Sequence, residues 1–249
     1  MLILLPPSEG KSAPDSGPVL DLEALAFPEL LETRASVLAA LTDLCGRSGR
    51  KATEVLGLGP RQSADIERNA RLRTEPCAPA MSVYSGVLFE HLGYSSLTAA
   101  QRQRADGSIL VASALWGLVR PTDRIPAYRL SASAHLPGMA SPRRTWHDPL
   151  RSVLDRQDGL AIDLRSGAYR DLAQGPNSPD WVSIRVFTVH QGRRTIVSHH
   201  NKSTKGRIAR AVVQTRRTLS SADRLVSALN DWGYPAELSG EGTVDVTTD

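Results

Sequence analysis

The sequence ILVASALWGLVRPTDRIPAYRL, residues 109–130, decides the fold class of this chain. It begins with a short apolar run, 109–112, of the kind that forms a buried strand. Pro121 and Pro126 exclude a continuous helix from the second half of the stretch. A buried strand that ends in a rigid polar loop is the usual position of a site in α/β proteins. We therefore expect an α/β fold, with a site where this strand ends.

The polar residues of this stretch are candidates for lining a cleft. They are Ser113, Arg120, Asp123, Tyr128 and Arg129. On spacing alone a second interpretation stays open, in which Arg120 and Asp123 form a local ion pair and Trp116 belongs to the core.

Composition bounds the class of protein. At 249 residues, with 41% apolar residues, the chain fits one large domain or two small ones. The apolar start at 1–5 stops at Pro6 with no basic region before it, so no signal peptide is expected. No apolar run reaches membrane-spanning length, and Cys45 and Cys77 lie in unlike contexts. We expect a cytoplasmic monomer that does not enter a membrane.

Positive charge is concentrated in one segment. The formal net charge is only +4, but no acidic residue lies between Asp180 and Asp223, where several arginines and two lysines occur. Such a basic block indicates a phosphate-bearing partner. Lysine is rare in this arginine-rich chain, so its four lysines are the more informative cations: Lys11, Lys51, Lys202 and Lys205.

The first predicted strand, 1–5, runs into a short polar turn. Ser8, Glu9, Gly10 and Lys11 occupy this turn, which resembles phosphate-binding loops but lacks their glycine spacing. We assign Ser8 and Lys11 to the cleft. An ordinary surface turn remains the alternative.

A second glycine turn lies in 52–64, where an apolar–Gly–apolar–Gly pattern contains Gly57 and Gly59. The pattern resembles a helix-hairpin-helix, in which glycines let the backbone approach a DNA phosphate. We assign Gly57, Gly59 and the following Arg61 to DNA binding. A plain glycine turn that ends a helix remains the alternative.

Other predicted elements carry further polar residues. A helix over 82–92 holds Tyr84 near its start, and a strand over 160–164 holds Asp163, with Ser166 in the turn that follows. A helix that begins near His199 and His200 and ends near 217 supplies the remaining cations. Of these, Lys202 is assigned to the cleft, and the others are assigned to DNA: Lys205, Arg207 and Arg210. Basic residues at a helix start oppose the helix dipole, which a bound anion would compensate.

The remaining pattern predicts further elements. Helices are expected at 28–45, 97–104 with Thr98 as a cap, 145–156 with Pro149 in the first turn, and 222–232. Strands are expected at 181–188 and 195–198 around a Gln191-Gly192 turn, followed by a hairpin of 234–238 with 244–246. No metal or cofactor is expected, because the two adjacent histidines lack partners at ligand spacing.

Together these segments resemble the YaaA family of bacterial peroxide stress proteins along nearly the whole chain. The main matches are the start, with Ser8 and Lys11, and LWGLVRP at 115–121, followed by Asp123 and Tyr128. Further matches are Tyr84-Ser85-Gly86, Trp146 with Asp148, Asp163-Leu164 with Ser166 and Tyr169, and Lys202 with Lys205, Gly206 and Arg210. The chain departs from the family pattern at Val119, which replaces a leucine, and in the spacing around Lys11.

The resemblance implies a single α/β domain over 1–249, with a mixed sheet surrounded by helices and a helix-hairpin-helix-like element. It also implies a positively charged cleft, DNA binding without base specificity, and a cytosolic role in limiting iron-dependent oxidative damage. It brings no catalytic mechanism.

Two functions remain open at this point. One is a DNA-binding stress protein that uses the glycine turn and the basic block. The other is an enzyme whose strand-end residues form a cationic pocket for a nucleotide-like, phosphorylated or carboxylated small molecule. In the second case Tyr84, Tyr128 and Tyr169 would line the pocket or donate protons. We expect Lys11, Arg120, Arg129 and Lys202 to face one cleft.

Overall fold

The protein is organised around a large mixed β-sheet with its first strand in the interior. A computed structural model describes residues 1–59, 62–190, 193–195, 198–240 and 242–248. The strands are β1 (Leu2–Leu5), β2 (Ala78–Pro79), β3 (Ile109–Ser113), β4 (Gly117–Val119), β5 (Arg124–Ile125), β6 (Ala161–Asp163), β7 (Trp181–His190), β8 (Arg193–Thr195), β9 (Ala236–Gly240) and β10 (Thr243–Thr248).

Helices surround the sheet. They are α1 (Leu31–Arg47), α2 (Gly49–Leu56), α3 (Ser63–Ala70), α4 (Ala80–Val83), α5 (Val87–Leu92), α6 (Ala99–Ser108), α7 (Pro142–Leu154), α8 (Gly167–Arg170), α9 (Ser198–Gln214) and α10 (Ala222–Asp231). Short 3-10 helices cover Pro28–Leu30 and Tyr94–Ser96. The predicted α/β class, with a mixed sheet and surrounding helices, is confirmed.

Most strands of the main sheet run in the same direction. Within the described residues it has eight strands, in the order β4-β3-β1-β6-β7-β10-β9, with β8 paired to β7 outside this path. β1 is parallel to β3 and β6, and β7 is parallel to β6 and β10. β4, β8 and β9 are antiparallel to their neighbours. The carboxyl ends of β1, β3, β6 and β7 therefore meet at one edge, where α/β proteins bind ligands.

The predicted buried strands and the closing hairpin are confirmed. Every residue of β1, β3 and β6 is buried, as expected for strands flanked on both sides. β9 and β10 pair in antiparallel fashion, and so do β7 and β8. The Gln191-Gly192 turn between β7 and β8 lies outside the described residues.

Predicted helix starts are partly confirmed. Thr98 caps α6, because its hydroxyl accepts from Gln101 N while the Gln101 side chain accepts from Thr98 N. The position given to Pro149 was wrong, since α7 begins at Pro142 and Pro149 lies inside it. Ser141 caps this earlier start by accepting from Arg144 N.

The continuous helix predicted over 82–92 was also wrong. α4 ends at Val83, Tyr84 has extended backbone angles, and α5 begins only after Gly86. Tyr84 instead forms an isolated antiparallel bridge with Lys11. A pairing with a residue so distant in the sequence overrides the local helical pattern, and it brings Tyr84 to the edge of the sheet.

A buried arginine holds the loop of the 109–130 stretch. Arg34, fully buried, donates to the carbonyl oxygens of Trp116 at 2.9 Å and Leu118 at 2.8 Å. Burial lowers the pKa of Arg34 from 12.5 to about 10. Trp116 is fully buried, as the core interpretation expected. A Cβ atom at Gly117 would lie 2.5 Å from the Trp146 ring, so only glycine allows this close approach.

The described residues contain no helix that is both long and apolar enough to cross a membrane.

Candidate functional site

Polar residues from separate segments meet at the carboxyl edge of the sheet. We call them the Lys11 cluster: Ser8, Lys11, Tyr84, Ser113 and Tyr128. Ser8 and Lys11 follow β1, Ser113 ends β3, and the other two come from the segments around α4 and after β5. The structure thus brings these five residues together.

A chain of hydroxyl groups forms the buried part of the cluster. Ser113 Oγ accepts from Leu115 N at 3.1 Å and from Trp116 N at 3.0 Å. Tyr128 Oη lies 2.6 Å from Ser113 Oγ and 3.0 Å from Tyr84 Oη. Because both lone pairs of Ser113 Oγ accept from backbone N–H groups, its hydroxyl donates to Tyr128 Oη. Tyr128 in turn donates to Tyr84 Oη. The Tyr84 proton is then the terminal donor of the chain.

Burial keeps both phenols neutral. It raises the pKa of Tyr84, and it raises the pKa of Tyr128 well above 10. Both groups therefore act as hydrogen-bond donors near neutral pH.

The amine of Lys11 lies against these hydroxyl groups, and no carboxylate of the described residues forms a salt bridge with it. Its Nζ donates to Ser8 O at 2.8 Å and more weakly to Glu9 O at 3.4 Å. It also lies 4.2 Å from the centre of the Tyr128 ring. Burial of the ammonium, reinforced by Arg129 and opposed by Asp65 and Glu9, lowers the pKa of Lys11 from 10.5 to about 7. Both protonation states of this amine are therefore populated at neutral pH.

Arg129 places a second cation beside Lys11. Its Nη2 lies 3.4 Å from the Glu9 carboxylate, which is 81% exposed and so binds it weakly. The Arg129 backbone is fixed by Asn69, whose Nδ2 donates to Arg129 O at 2.7 Å and whose Oδ1 accepts from Arg129 N at 2.9 Å. Asn69 is fully buried on α3. α3 thus helps to position Arg129 beside the cluster.

A third tyrosine stands near the cluster. Tyr169, on α8, is half-buried, and its pKa is raised by burial and by the neighbouring Tyr128. Ser166 is exposed at the residue before α8, and its carbonyl accepts from the backbone N–H groups of Tyr169 and Arg170. Tyr169 therefore fits the predicted lining, whereas Ser166 contributes its carbonyl to the start of α8.

The expected convergence was wrong for Arg120 and Asp123. β4 runs antiparallel to β3, so Arg120, after β4, lies toward the amino end of β3. Arg120 N donates to Asp123 Oδ2 at 2.9 Å, and its guanidinium is 3.5 Å from Asp106 O. Asp123 Oδ1 accepts from Ala26 N at 3.2 Å. Arg120 and Asp123 are thus paired locally, but through the Arg120 backbone N–H group. This bond organises the loop between β4 and β5.

Asp163 and Lys205 are structural groups at the end of β6. Asp163 forms a fully buried bidentate pair with Arg165, at 2.9 and 2.7 Å. Lys205 Nζ donates to Leu164 O at 3.0 Å and to Arg165 O at 3.4 Å. Burial, followed by Arg170, lowers the pKa of Lys205 to about 8, with Asp163 acting in the opposite direction. The assignment of Lys205 to DNA was wrong, because its amine is buried and bonded to the main chain.

In the glycine turn between α2 and α3, the described amide groups at 57–59 are occupied. Gly57 ends α2 in the left-handed conformation, its N–H donates to Glu54 O, and Leu58 N donates to Thr53 O. Gly59 N donates to the Gln62 side chain at 2.9 Å. This is the bonding of a glycine turn that ends a helix. Arg61 lies outside the described residues.

The basic block is largely paired within the protein. Arg210 is half-buried and donates to Leu92 O at 2.9 Å and Gly93 O at 3.0 Å. Arg185 and Arg217 pair with Asp245 and Asp231, respectively. The cations exposed on α9 and just after it are Lys202, Arg207, Arg216 and Arg217, and Arg217 is the one paired with Asp231. No contact joins Lys202 to the Lys11 cluster in the described part of the chain.

Within the described residues, no three histidine, cysteine or acidic side chains lie close enough together to hold a metal ion. Cys45 and Cys77 are buried and free, and burial raises the pKa of both thiols.

Sequence reasoning missed the residues that support the cluster. Asn69 and Asp65 were not considered, although Asn69 lies three residues after Ile66 on the apolar face of α3. A polar residue on an otherwise apolar helix face is the sequence feature that could have identified Asn69. Arg165 was missed because its partner Asp163 is only two residues away in an apparently ordinary strand end.

Comparison with known proteins gives one consistent result. A sequence profile described as Peroxide stress protein YaaA matches residues 1–237. A UPF0246 protein of Streptomyces coelicolor is 43% identical over 239 residues, covering 95% of this chain and 92% of its own length. A UPF0246 protein of Corynebacterium efficiens is 38% identical over 253 residues, covering 100% and 99%. One from Salinispora tropica is 31% identical, covering 87% and 82%.

Proposed function

The chain belongs to the YaaA family of peroxide stress proteins, and from this premise we propose that the Lys11 cluster is its working site. In this proposal the cluster binds a small anionic molecule and exchanges a proton with it. The observation that carries the proposal is the Lys11 amine, which is bonded to main-chain carbonyls and lies beside Arg129.

Charge supports an anionic ligand. Lys11 and Arg129 are close enough for their charges to repel, and the carboxylates that oppose this, Glu9 and Asp65, only partly compensate. A bound carboxylate or phosphate relieves this repulsion and favours the protonated amine. Binding should therefore take up a proton, and affinity should fall as the pH rises through about 7.

Proton chemistry is supported by the same contacts. A lysine amine whose pKa lies near the working pH is an effective general base or acid. The terminal donor Tyr84 can hydrogen-bond the ligand, while Ser113 anchors the hydroxyl chain on two backbone N–H groups. In an enzyme, Lys11 would move the proton, Arg129 would hold the anion and Tyr84 would polarise the reacting oxygen.

The experiment is untargeted metabolite capture with the purified protein. Wild type is compared with Lys11→Met and with Lys51→Met, which removes an exposed lysine. We expect an anionic compound retained by wild type and Lys51→Met and lost from Lys11→Met. Equal retention by all three folded proteins would contradict the proposal.

DNA binding is a second proposed function. It is supported by the exposed turn at Gly57 and Gly59 between two helices, and by Lys202 and Arg207 exposed on α9. It is weakened by the occupied amide groups of the turn. In this proposal the protein limits iron-dependent damage in the cytosol by covering DNA as a monomer.

A salt titration followed by fluorescence anisotropy tests the DNA proposal. Binding should be independent of base sequence and weaken with salt, with a log–log slope near −4 to −5 for about five phosphates. Gly57→Val should weaken binding, while Lys11→Met should not. If the folded glycine variant binds as wild type does, the turn takes no part in DNA binding.

A further inference from the structure

A cavity of about 530 Å³ lies beside α9, and no residue of the Lys11 cluster lines it. Its walls come from α5, from α9, from the loop 233–235 after α10 and from the end of β10. The volume lies within the range of pockets for small ligands, about 300–1,000 Å³.

One face of α9 forms the polar wall of this cavity. His200, Ser203, Thr204 and Arg207 are spaced at i, i+3, i+4 and i+7, which places them on one side of the helix. The sequence places cations and no acidic residue near the start of α9. The cavity lies along the part of α9 where a compensating anion would bind.

His91 reaches the cavity because α5 and α9 approach closely. A Cβ atom at Gly206 would lie 2.2 Å from Leu88 O and 2.9 Å from His91 Cβ, so glycine is needed at this crossing. His91 Nδ1 lies 2.8 Å from Val87 O and therefore carries a proton. Its Nε2 is the ring nitrogen left for a ligand.

The lining favours an anion. Among the described residues no carboxylate side chain lines the cavity, whose polar groups are imidazole, hydroxyl and guanidinium. Thr204 is only 4% exposed, and among the described residues its hydroxyl makes no hydrogen bond within the protein. Because Thr204 lines the cavity, this hydroxyl is available to a ligand there.

We propose that this cavity binds the phosphate group of a small phosphorylated molecule. Arg207 supplies the fixed charge, Thr204 donates to a phosphate oxygen, and His91 Nε2 accepts from a hydroxyl group of the ligand. Tyr234 and Pro235 contact the rest of the ligand. A concave pocket with one arginine fits a single phosphate group. A DNA backbone track requires a row of cations, and Arg207 is the one arginine or lysine that lines the cavity among the described residues.

The experiment is calorimetric titration of the full-length protein with inorganic phosphate, adenosine monophosphate, adenosine and a single-stranded oligonucleotide without terminal phosphate. The variants are Arg207→Gln, Thr204→Val and the control Arg216→Gln, which removes an exposed arginine that does not line the cavity. Thermal melting verifies that each variant is folded. Because Arg207 is exposed, its substitution should leave the fold intact.

We expect adenosine monophosphate to bind wild type and Arg216→Gln equally. Arg207→Gln should bind it roughly tenfold to a hundredfold more weakly, the usual loss of a charge-assisted hydrogen bond, and Thr204→Val severalfold more weakly. The proposal is overturned if Arg207→Gln binds as wild type does, or if adenosine binds as tightly as the monophosphate. It is also overturned if only a single-stranded oligonucleotide without terminal phosphate is bound through Arg207.

Discussion

The lowered pKa of Lys11 makes the stability of the protein depend on pH in a specific way. The amine titrates at about 7 in the folded protein, compared with 10.5 in an unfolded chain. Between these values the unfolded chain binds more protons, so the contribution of Lys11 to stability rises with pH. Below pH 7, where the buried amine is charged, Lys11 lowers the free energy of unfolding by roughly 5 kcal/mol, at about 1.4 kcal/mol for each unit of pKa shift.

Lys11→Met isolates this effect, because the other titrating groups cancel when the variant is compared with wild type. Between pH 7.5 and 9.0, the free energy of unfolding of wild type should rise by about 2 kcal/mol relative to that of the variant. Urea titrations of both proteins at several pH values measure this difference. Lysine-selective NMR is an independent measurement, since a chain with four lysines gives resolved signals. Parallel pH profiles, or four amines that all titrate above 10, would refute the reasoning.

Two further predictions concern buried groups. With its pKa raised to about 11, about a thousandth of the Cys77 thiol is ionised at pH 8, so Cys77 and Cys45 should alkylate far more slowly than a free thiol. Rapid labelling of the folded protein by iodoacetamide would contradict this. Arg165→Ala should lower the free energy of unfolding by about 3–5 kcal/mol, because it leaves Asp163 buried and unpaired. The matched control, Arg217→Ala in an exposed pair, should change the free energy of unfolding by less than about 1 kcal/mol. Equal decreases for the two variants would show that burial of the ion pair does not determine the loss of stability.

The two cysteines of this chain lack the features of peroxide-sensing thiols. Sensor cysteines are exposed and have lowered pKa values. Both cysteines here are buried with raised pKa values. Protection through binding or proton chemistry at the Lys11 cluster agrees better with these features.

Local pattern predicted the elements of the sheet well. The buried strands at 1–5, 109–112 and 160–164 are recognisable because continuous apolar runs suit strands covered on both faces. Their parallel order places the ends of β1 and β3 side by side, so the positions of Ser8, Lys11 and Ser113 at one edge of the sheet can be read from the sequence.

Contacts between distant segments were beyond the reach of local pattern. The bridge from Lys11 to Tyr84 breaks the helix predicted over 82–92. Lys205 has the spacing of a surface cation, yet its amine is used by the main chain at the end of β6. The reversal of direction at β4, which carries Arg120 away from the site, depends on strand pairing and on the burial of Arg34.

Peroxide survival is the most direct test of the claim that the Lys11 cluster is the working site. Bacteria that lack their own family protein would receive wild type, Lys11→Met or Lys51→Met, each expressed at the same level. We predict that wild type and Lys51→Met restore survival and that the folded Lys11→Met protein does not. Full protection by Lys11→Met would contradict the claim.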